Sequence, residues 1–253
     1  MTTVIKSPAE WRKLRNGKLK NKTLGFVPTM GALHDGHLTL ARKSKRENNI
    51  TLVSIFVNPT QFNDKKDLEN YPRILREDLE SLDAAGVDYL FYPSYKSLYA
   101  DNYRYRVCEN EISKILCGAF RPGHFDGVLT VVLKLLNIAG ADKAYFGEKD
   151  YQQYLLIRDM ARAFFLTTKI ISCPTVREKN GLALSSRNRR LSETEYALAP
   201  EFSRSLRRGA TAAQARITLE KLGFAVDYVE DRFGRRFGAA KLGKVRLIDN
   251  VRR

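Results

Sequence analysis

The stretch F-V-P-T-M-G-A-L-H-D-G-H, residues 26–37, decides the fold of this chain. It begins as a short apolar strand, breaks at Pro28 and then passes through a glycine-flanked pair of histidines, His34 and His37. The whole chain holds three histidines, and the third, His124, lies in another glycine-rich turn. Histidines this scarce, all placed beside glycine, indicate side chains kept for function rather than for packing.

The order of strand, glycine turn, imidazoles and helix start predicts a phosphate-binding site. A helix N-terminus offers unpaired N–H groups and a positive dipole to an anion. Imidazoles at that point can donate hydrogen bonds to oxygens that gain charge during attack at phosphorus. For H-x-x-H by itself, a polar loop with a helix cap is the simpler interpretation. A metal site is the weakest one, because only one other histidine is present to complete a ligand shell.

The length and composition of the chain limit the classes of protein to which it can belong. At 253 residues the chain is one large domain or two modest ones with a real core. Its three cysteines, Cys108, Cys117 and Cys173, form no C-x-x-C pair, which predicts a cytoplasmic protein without structural disulfides or a zinc site. The N-terminus lacks the apolar core of a signal peptide, and the longest apolar stretch, residues 128–141, is too short to span a bilayer.

The net charge of +16 favours polyanionic partners, namely nucleotides, nucleic acid or an anionic membrane, although it also serves solubility. A nucleic-acid-binding protein is therefore one alternative, based on the density of basic residues between Arg232 and Arg253. Single-strand binders add aromatic stacking platforms, and this segment offers only Phe233 and Phe237. We do not expect nucleic acid to be the main partner.

Strands and helices are predicted to alternate up to Pro174, which indicates an α/β domain with a doubly wound parallel sheet. The near-continuous apolar run at 52–57 is typical of a strand buried on both faces. The predicted strands are 23–27, 52–57, 89–92, 103–108, 143–146 and 169–172, and the predicted helices are 7–14, 37–47, 72–85, 127–139 and 150–165.

After Pro174 the sequence predicts a smaller and more basic second domain. It should contain helices at 192–208 and 211–222 and strands at 225–230 and 244–248. The predicted domains are therefore 1–174 and 175–253.

Three further segments fall where such a fold binds its ligands, outside the carboxyl ends of strands or in a loop beside them. N-P-T-Q-F, residues 58–62, supplies amides that suit hydroxyl and carboxylate groups. G-E-K-D-Y-Q-Q, residues 147–153, supplies Lys149 as a positive charge for phosphate. Asp150 could pair with Lys149, accept from a ribose hydroxyl or contact Mg²⁺. At most one of the two glutamines in this segment should face the site. L-S-S-R, residues 184–187, supplies two hydroxyls and a guanidinium. Each could also be an ordinary turn, charge pair or linker.

Through these segments the sequence resembles the pantothenate synthetase (pantoate–β-alanine ligase) family of nucleotidyltransferases with an H-x-G-H signature. Five motifs match in family order from Val27 to Asn188, and R-L-I-D-N, residues 246–250, also fits. The motifs are P-T-M-G-A-L-H-D-G-H, V-S-I-F-V-N-P-T-Q-F, R-P-G-H-F-D-G-V, Y-F-G-E-K-D-Y-Q-Q and L-A-L-S-S-R-N.

The resemblance implies a Rossmann-like first domain that forms a homodimer, a small C-terminal α+β lid domain, and a two-step reaction. Pantoate attacks ATP to give pantoyl adenylate and pyrophosphate with Mg²⁺, and β-alanine then displaces AMP. By the same resemblance His37 is the proton donor, and His34 and Lys149 lie on the phosphates. Gln61, Gln153 and Met30 bind pantoate.

The resemblance implies further contacts, with Gln61 also near β-alanine and Asp150 near Mg²⁺ carried by the ATP phosphates. Arg121 and His124 lie in a family motif without an assigned step, and Arg121 is expected to reach toward the substrate side. The residues implied to bind ATP are Met30, Gly31, Ala32, Leu33, His34, Asp35, Gly36, His37, Gly147, Glu148, Lys149, Asp150, Val176, Leu184, Ser185, Ser186 and Arg187.

The chain departs from the family pattern in its second domain. It is short between Val229 and Val245, where the sequence is basic and glycine-rich, and Arg190 stands where an aromatic is common. We therefore expect packing and closure of this domain to be where the chain differs most from the family.

The alternative enzyme is another adenylyl or cytidylyl transferase with the same signature, which need not keep Gln61 and Gln153 together.

Overall fold

The computed structural model describes residues 1–253 and contains two β-sheets. The strands are β1 (Thr3–Ile5), β2 (Leu24–Thr29), β3 (Ile50–Ile55), β4 (Tyr89–Phe91), β5 (Lys143–Gly147), β6 (Lys169–Cys173), β7 (Ala225–Arg232), β8 (Arg235–Leu242) and β9 (Val245–Arg252). The helices are α1 (Pro8–Asn16), α2 (Asp35–Glu47), α3 (Lys65–Glu69), α4 (Leu75–Ala84), α5 (Tyr95–Leu98), α6 (Cys117–Phe120), α7 (His124–Ala139), α8 (Tyr151–Ala163), α9 (Glu193–Leu198), α10 (Pro200–Arg208) and α11 (Ala212–Lys221). Short 3₁₀ turns lie at Pro59–Gln61, Ile112–Lys114, Glu148–Asp150 and Ser186–Arg190.

The first sheet is parallel, with the strand order β1-β4-β3-β2-β5-β6. From β2 the chain winds through β3 to β4 on one side, and β5 and β6 then extend the sheet on the other side. The winding therefore reverses between β2 and β5, and such a switch point is where doubly wound folds bind ligands. The predicted Rossmann-like α/β class is confirmed.

Hydrophobic burial explains why these strands form the centre. Phe26 and Val27 of β2 are completely buried, on opposite faces of the sheet, in two different core clusters. The predicted strand ended at Val27 because proline is disfavoured inside sheets. In the structure β2 continues through Pro28 to Thr29, in register with β3.

Helix α7 is the core helix of the first domain. Eleven of its sixteen residues are buried, and it begins at His124, three residues earlier than predicted. Gly127 is needed where α7 meets the turn at Pro59–Gln61, since a side-chain carbon there would lie 2.5 Å from the Thr60 carbonyl oxygen. Helix α7 thus supports the turn that carries Gln61.

The second sheet is antiparallel, with the order β7-β8-β9, and packs with α10 and α11 around its own cluster of 13 buried residues. Its other face joins the largest core cluster through Tyr228, Phe237 and Ala239. Strand β6 ends at Cys173, one residue before the predicted boundary. The division at 174 stays a prediction, since apolar packing crosses it.

Two secondary-structure predictions were wrong, and the strand β8 was not predicted. Residues 103–108 form no strand, and Val107 instead donates its N–H to Thr130 Oγ1 at 2.9 Å. The helix predicted at 192–208 is two helices, with Ala199 as the junction and Pro200 as the first residue of α10. The segment between Val229 and Val245 contains β8, the central strand of the second sheet.

No helix in the chain is both long enough and apolar enough to span a membrane.

Candidate active site

A cavity of about 230 Å³ lies at the carboxyl ends of β2 and β5, at the switch point of the sheet. One wall is apolar and comes largely from α7, where no site residue was predicted. Tyr71 also lines the cavity and was not predicted. Of the predicted site residues, fourteen line it: Met30, His34, Gly36, His37, Gln61, Gly147, Lys149, Asp150, Gln153, Val176, Leu184, Ser185, Ser186 and Arg187.

The other five predicted ATP contacts do not line this cavity: Gly31, Ala32, Leu33, Asp35 and Glu148. Three of them form the turn after β2, which is held by the buried carboxylate of Asp78. The N–H groups of Ala32 and Leu33 donate to Asp78 at 3.0 and 2.7 Å. Gly31 has φ +79, and a side-chain carbon there would lie 3.0 Å from Asp78 Oδ2. Asp78 of α4 therefore fixes the shape of this turn through its backbone N–H groups. The sequence did not predict this role for Asp78.

The two histidines form one unit at the start of α2. Their rings stack at 4.0 Å between centroids with an interplanar angle of 27°. His34 is the N-cap, and its Nδ1 accepts the Gly36 N–H at 3.1 Å. In neutral His34 the proton therefore sits on Nε2, which is left as a donor. The His37 Nδ1 is buried and makes no hydrogen bond within the protein.

Both rings are neutral at physiological pH. Burial, and after it the charge of Lys149, lowers the pKa of His34 to about 4. Burial likewise lowers the pKa of His37 to about 3, with His34 and Lys149 adding to the shift. Neutral imidazoles beside a lysine are suited to donate hydrogen bonds to a polyanion. The negative charge of a bound triphosphate would raise both pKa values again.

The three histidines, of which His124 is buried and His34 and His37 are partly buried, predict an acid-sensitive fold. His34, His37 and His124 all have a folded-state pKa below the ordinary value of 6.5, so between pH 6.5 and about 4 the unfolded chain binds more protons. The free energy of unfolding should therefore fall as the pH is lowered through this range. We expect a loss of about 2 kcal/mol or more between pH 7 and pH 5, at about 1.4 kcal/mol per pKa unit.

Urea unfolding at pH 7, 6 and 5 measures this loss. His37→Asn is the matched variant, because His37 makes no hydrogen bond to the protein through its buried nitrogen. It removes one titrating group and should make the pH dependence shallower. An unfolding free energy that is the same at pH 7 and pH 5 would show that the histidines are not held neutral.

The turn that carries Gln61 is fixed by a hydrogen-bonded network. The Asn58 side chain donates to Gln61 Oε1 and to the Gly127 carbonyl, both at 3.1 Å. The Gln61 carbonyl lies 2.8 Å from His124 Nδ1 and accepts from Arg121 Nη2 at 3.2 Å. Gln61 Nε2 lies 3.1 Å from Met30 Sδ. The network thus places Gln61 beside the loop that follows β2.

Only one of the two glutamines at the start of α8 faces the cavity, as predicted. Gln153 lines it. Gln152 is buried and bonds to the segment before α6, donating to the carbonyls of Ile112 and Ile115 at 2.7 and 2.8 Å and accepting from Cys117 N–H at 3.1 Å. Gln152 is therefore a structural residue.

The turn that carries Lys149 is held by the second domain. Asn250 of β9 donates to the carbonyls of Glu148 and Lys149 at 2.7 and 3.0 Å. Glu148 is turned away from the cavity and pairs with Arg235 of β8 at 2.6 Å. The position of Lys149 thus depends on β8 and β9.

The L-S-S-R loop also bridges the two parts of the chain. Ser186 Oγ donates to the Ala32 carbonyl at 3.0 Å, and Arg187 pairs with Asp67 at 2.9 Å. Just before the loop, Arg177 donates two bonds to Asp249 of β9, at 2.6 and 2.9 Å. Arg190, where the family commonly has an aromatic, pairs with Asp67 at 2.7 Å. The neighbours Asp249 and Asn250 therefore fix both loops on this side of the cavity.

Among the residues lining the cavity, Asp150 is the one carboxylate, 3.9 Å from Lys149. No group of three or more histidine, cysteine or acidic side chains is arranged to hold a metal ion. The three cysteines are free. The remaining polar lining consists of donors and cations, which suits a ligand that carries several negative charges.

A doubly wound sheet with such donors at its switch point, and two stacked imidazoles at a helix start, defines an enzyme of the nucleotidyltransferase class. The family comparison makes this class specific, because residues 3–252 match the model of the Pantoate-beta-alanine ligase family. The chain belongs to that family.

Individual relatives agree with the family match. The pantothenate synthetase of Bdellovibrio bacteriovorus is 54% identical, with 99% of each chain covered. That of Coxiella burnetii is 49% identical and covers 99% of this chain and 97% of its own. The pantoate–β-alanine ligase of Francisella tularensis, solved with a β,γ-ATP compound and β-alanine, has a TM-score of 0.94 at 44% identity, covering 100% of this chain and 98% of that one. The predicted ligase activity is confirmed.

The Bdellovibrio protein aligns over 254 residues, which is 99% of its own length, so this chain is nearly as long as that relative. The expectation that packing and closure of the second domain set the chain apart from the family stays a prediction.

Proposed function

We propose that the cavity joins (R)-pantoate to β-alanine in two steps, with ATP as the activating substrate. The observation that carries the proposal is that the histidine pair, Lys149 and the L-S-S-R loop line the same cavity as Gln61 and Gln153. The first group suits a triphosphate, and the two amides suit a hydroxy acid. The presence of ATP and β-alanine compounds in the Francisella structure supports the same assignment.

In the first step a pantoate carboxylate oxygen attacks the α-phosphorus of ATP, and the bond from that phosphorus to the β-phosphate oxygen breaks. Pyrophosphate leaves with the bonding electrons, and pantoyl adenylate remains. We assign Gln61, Gln153 and Met30 to pantoate. His34, His37 and Lys149 stabilise the charge that develops on the phosphate oxygens, which is the largest contribution that preorganised donors make.

In the second step the amine nitrogen of β-alanine attacks the acyl carbon of the adenylate. The bond from that carbon to the phosphate oxygen breaks, AMP leaves with the bonding electrons, and the nitrogen loses a proton to solvent. Gln61 is assigned to β-alanine as well as to pantoate. Val176 is assigned to the adenine, and Leu184–Arg187 to the phosphates. Of the five predicted ATP contacts that do not line the cavity, Gly31, Ala32 and Leu33 form the turn after β2. Asp35 is the exposed first residue of α2, and Glu148 pairs with Arg235.

Mg²⁺ is proposed as the accompanying cation, and Asp150 would contact it. A single carboxylate on the wall fits this ion, which keeps waters and binds through substrate phosphates as much as through protein. When bound, it neutralises part of the triphosphate charge. We also propose a homodimer through the first domain, from the family resemblance, and a cytoplasmic location, from the free cysteines.

The basic residues that suggested nucleic-acid binding are not all accessible to a ligand. Of the basic residues between Arg232 and Arg253, Arg235 and Arg236 are buried and ion-paired with Glu148 and Asp231. These guanidinium groups are not available for a polyanion. The basic segment is therefore part of the fold of the second domain.

Product analysis with each substrate omitted in turn tests the proposed reaction. ATP, pantoate and β-alanine together should give AMP and pantothenate in equal amounts. Omission of β-alanine should leave only the slow, stoichiometric formation of adenylate. AMP formation that does not depend on pantoate, or that occurs without pantothenate, would contradict the assignment.

A further inference from the structure

A second cavity, of about 40 Å³, adjoins the main one, and the two share Lys149, Asp150 and Gln153 on their walls. Arg121 and His124 line only the second cavity. Both belong to the R-P-G-H motif, to which the family resemblance assigns no step. Gln153 is assigned to pantoate and Lys149 to the phosphates, so the second cavity opens where the pantoate and phosphate parts of the site meet.

Arg121 is a partly buried cation with no acidic partner. Its guanidinium lies 3.0 Å from His124 Nε2 and donates to the Gln61 carbonyl at 3.2 Å, and no carboxylate lies within 4.0 Å of it. The arginines around it differ in this respect. Arg187 pairs with Asp67, and Arg246 pairs with Asp227.

Both acidic side chains on the wall of the second cavity already have basic partners. Asp249 receives two hydrogen bonds from Arg177, and Asp150 lies 3.9 Å from Lys149. Burial, and after it the nearby charge of Arg187, lowers the pKa of Arg121 to about 10. Since an unpaired charge out of water is costly, an anionic ligand at this point would offset that cost.

His124 fixes the orientation of Arg121 toward this cavity. It is nine-tenths buried, and burial together with Arg121 lowers its pKa to about 3, so it is neutral. With its Nδ1–H donated to the Gln61 carbonyl, its Nε2 is left to accept from Arg121 Nη1. His124 is therefore a positioning residue.

Size and place identify the anion. About 10–15 Å³ is needed for each water-sized group, so this cavity holds roughly three such groups, the number of heavy atoms in a carboxylate. Of the groups assigned to the phosphates, only Lys149 also lines the second cavity, whereas His34, His37 and the loop 184–187 line the main cavity alone. The amine substrate must approach the acyl carbon from the pantoate end, and its own carboxylate then needs a cation nearby.

We propose that Arg121 binds the carboxylate of the amine substrate, with the second cavity as its subsite. The inference rests on the proposed function and adds the residue that makes the enzyme select an amino acid over a simple amine. The carboxylate enters the second cavity, and the amine end remains beside Gln61 and Gln153. Arg121 takes no part in the attack on ATP.

The test compares β-alanine with β-alaninamide, which has the same amine but no carboxylate, in the parent enzyme and in Arg121→Gln. A hydrogen bond to a charged group contributes about 1.5–3 kcal/mol, so the parent should prefer β-alanine by roughly 10- to 100-fold in kcat/KM. In Arg121→Gln the ratio of the two kcat/KM values should fall to within a few-fold of one, mainly because the KM for β-alanine rises. Arg121→Lys should keep part of it. The control is Arg104→Gln, an exposed arginine outside both cavities, which should keep the full preference.

Pantoate-dependent exchange of pyrophosphate into ATP separates this inference from the proposed function. In Arg121→Gln the exchange should stay within a few-fold of the parent, since it needs no β-alanine. Exchange that falls as much as synthesis would overturn the inference and make Arg121 a residue that only holds the Gln61 turn. Absence of exchange in the parent would overturn the proposed function itself.

A measurement without any variant covers the case in which Arg121→Gln fails to fold. Propionate, which has the carboxylate but not the amine, should inhibit the parent competitively with β-alanine and not with ATP. Propionamide should not inhibit. Equal inhibition by the two compounds, or competition of propionate with ATP, would overturn the assignment of the second cavity to the carboxylate of the amine substrate.

Discussion

Replacing His37 by alanine should lower the rate of adenylate formation by roughly two or more orders of magnitude, the scale for the loss of one preorganised donor. His37 lines the main cavity, stacks on His34 at 4.0 Å and has a neutral ring beside Lys149. Its N–H would face charge that appears only as pantoate attacks the phosphorus. The measurement is the rate of pantoate-dependent pyrophosphate exchange at saturating substrates.

Thr39→Ala is the matched control for His37→Ala. Thr39 lies in the same helix, is exposed, and bonds only to the carbonyl of Asp35 at 2.7 Å. It should leave the exchange rate unchanged, and His37→Asn, which keeps an N–H donor, should recover part of the loss. Exchange by His37→Ala within a few-fold of the parent would remove His37 from the mechanism.

Replacing Arg235 by methionine should lower the free energy of unfolding by about 3 kcal/mol or more, the cost of breaking a buried ion pair from one side. The pair joins β8 to the turn before Lys149, and both side chains are about nine-tenths buried. Arg235 also donates to Asn250 Oδ1 at 2.8 Å and lies 3.9 Å above the Tyr151 ring. The variant leaves the carboxylate of Glu148 buried beside the active-site turn, so kcat should fall as well.

The same β-hairpin offers a control in Arg232→Met. Arg232 pairs with Glu230 at 2.7 Å on the surface, where such a pair contributes about 1 kcal/mol or less. The double variant Arg235→Met with Glu148→Gln removes both charges and should recover much of the stability lost in the single variant. Chemical denaturation of the four proteins measures these differences. Equal losses for Arg232→Met and Arg235→Met would contradict a structural role for the buried pair.

Much of the first domain could be predicted because its strands are short apolar runs between clear breaks. Residues 52–57 have no polar face, so a strand buried on both sides was the natural interpretation, and β3 is such a strand. The glycine turns and the charged ends of the helices set the boundaries to within a few residues. The convergence of Met30, Gln61, Lys149 and Gln153 on one cavity followed from the rule that strand ends of a parallel sheet meet at one edge.

The second domain was harder because its central strand does not look like one. Strand β8 begins with two arginines, and the sequence alone gives no sign that Glu148 and Asp231 neutralise them. A basic, glycine-containing segment therefore gives no clear strand pattern, although Phe237, Ala239 and Ala240 are all buried. Burial of charge depends on partners distant in sequence, and periodicity does not record them.

The supporting residues of the site were missed for a related reason. Asp78 and Asn250 act on the backbone of the active-site turns, by hydrogen bonds to residues more than 40 positions away. No motif contains both ends of such a contact. A buried acid on α4 and an amide in R-L-I-D-N have many interpretations until the fold brings them under Ala32 and Lys149.

The central claim is that the cavity at the switch point activates pantoate as an adenylate before any amine is present. Exchange of labelled pyrophosphate into ATP, measured with pantoate and without β-alanine, tests it most directly. We predict exchange that depends on pantoate, saturates with it, and is not supported by β-alanine alone. No exchange at saturating pantoate, or equal exchange without pantoate, would contradict the account.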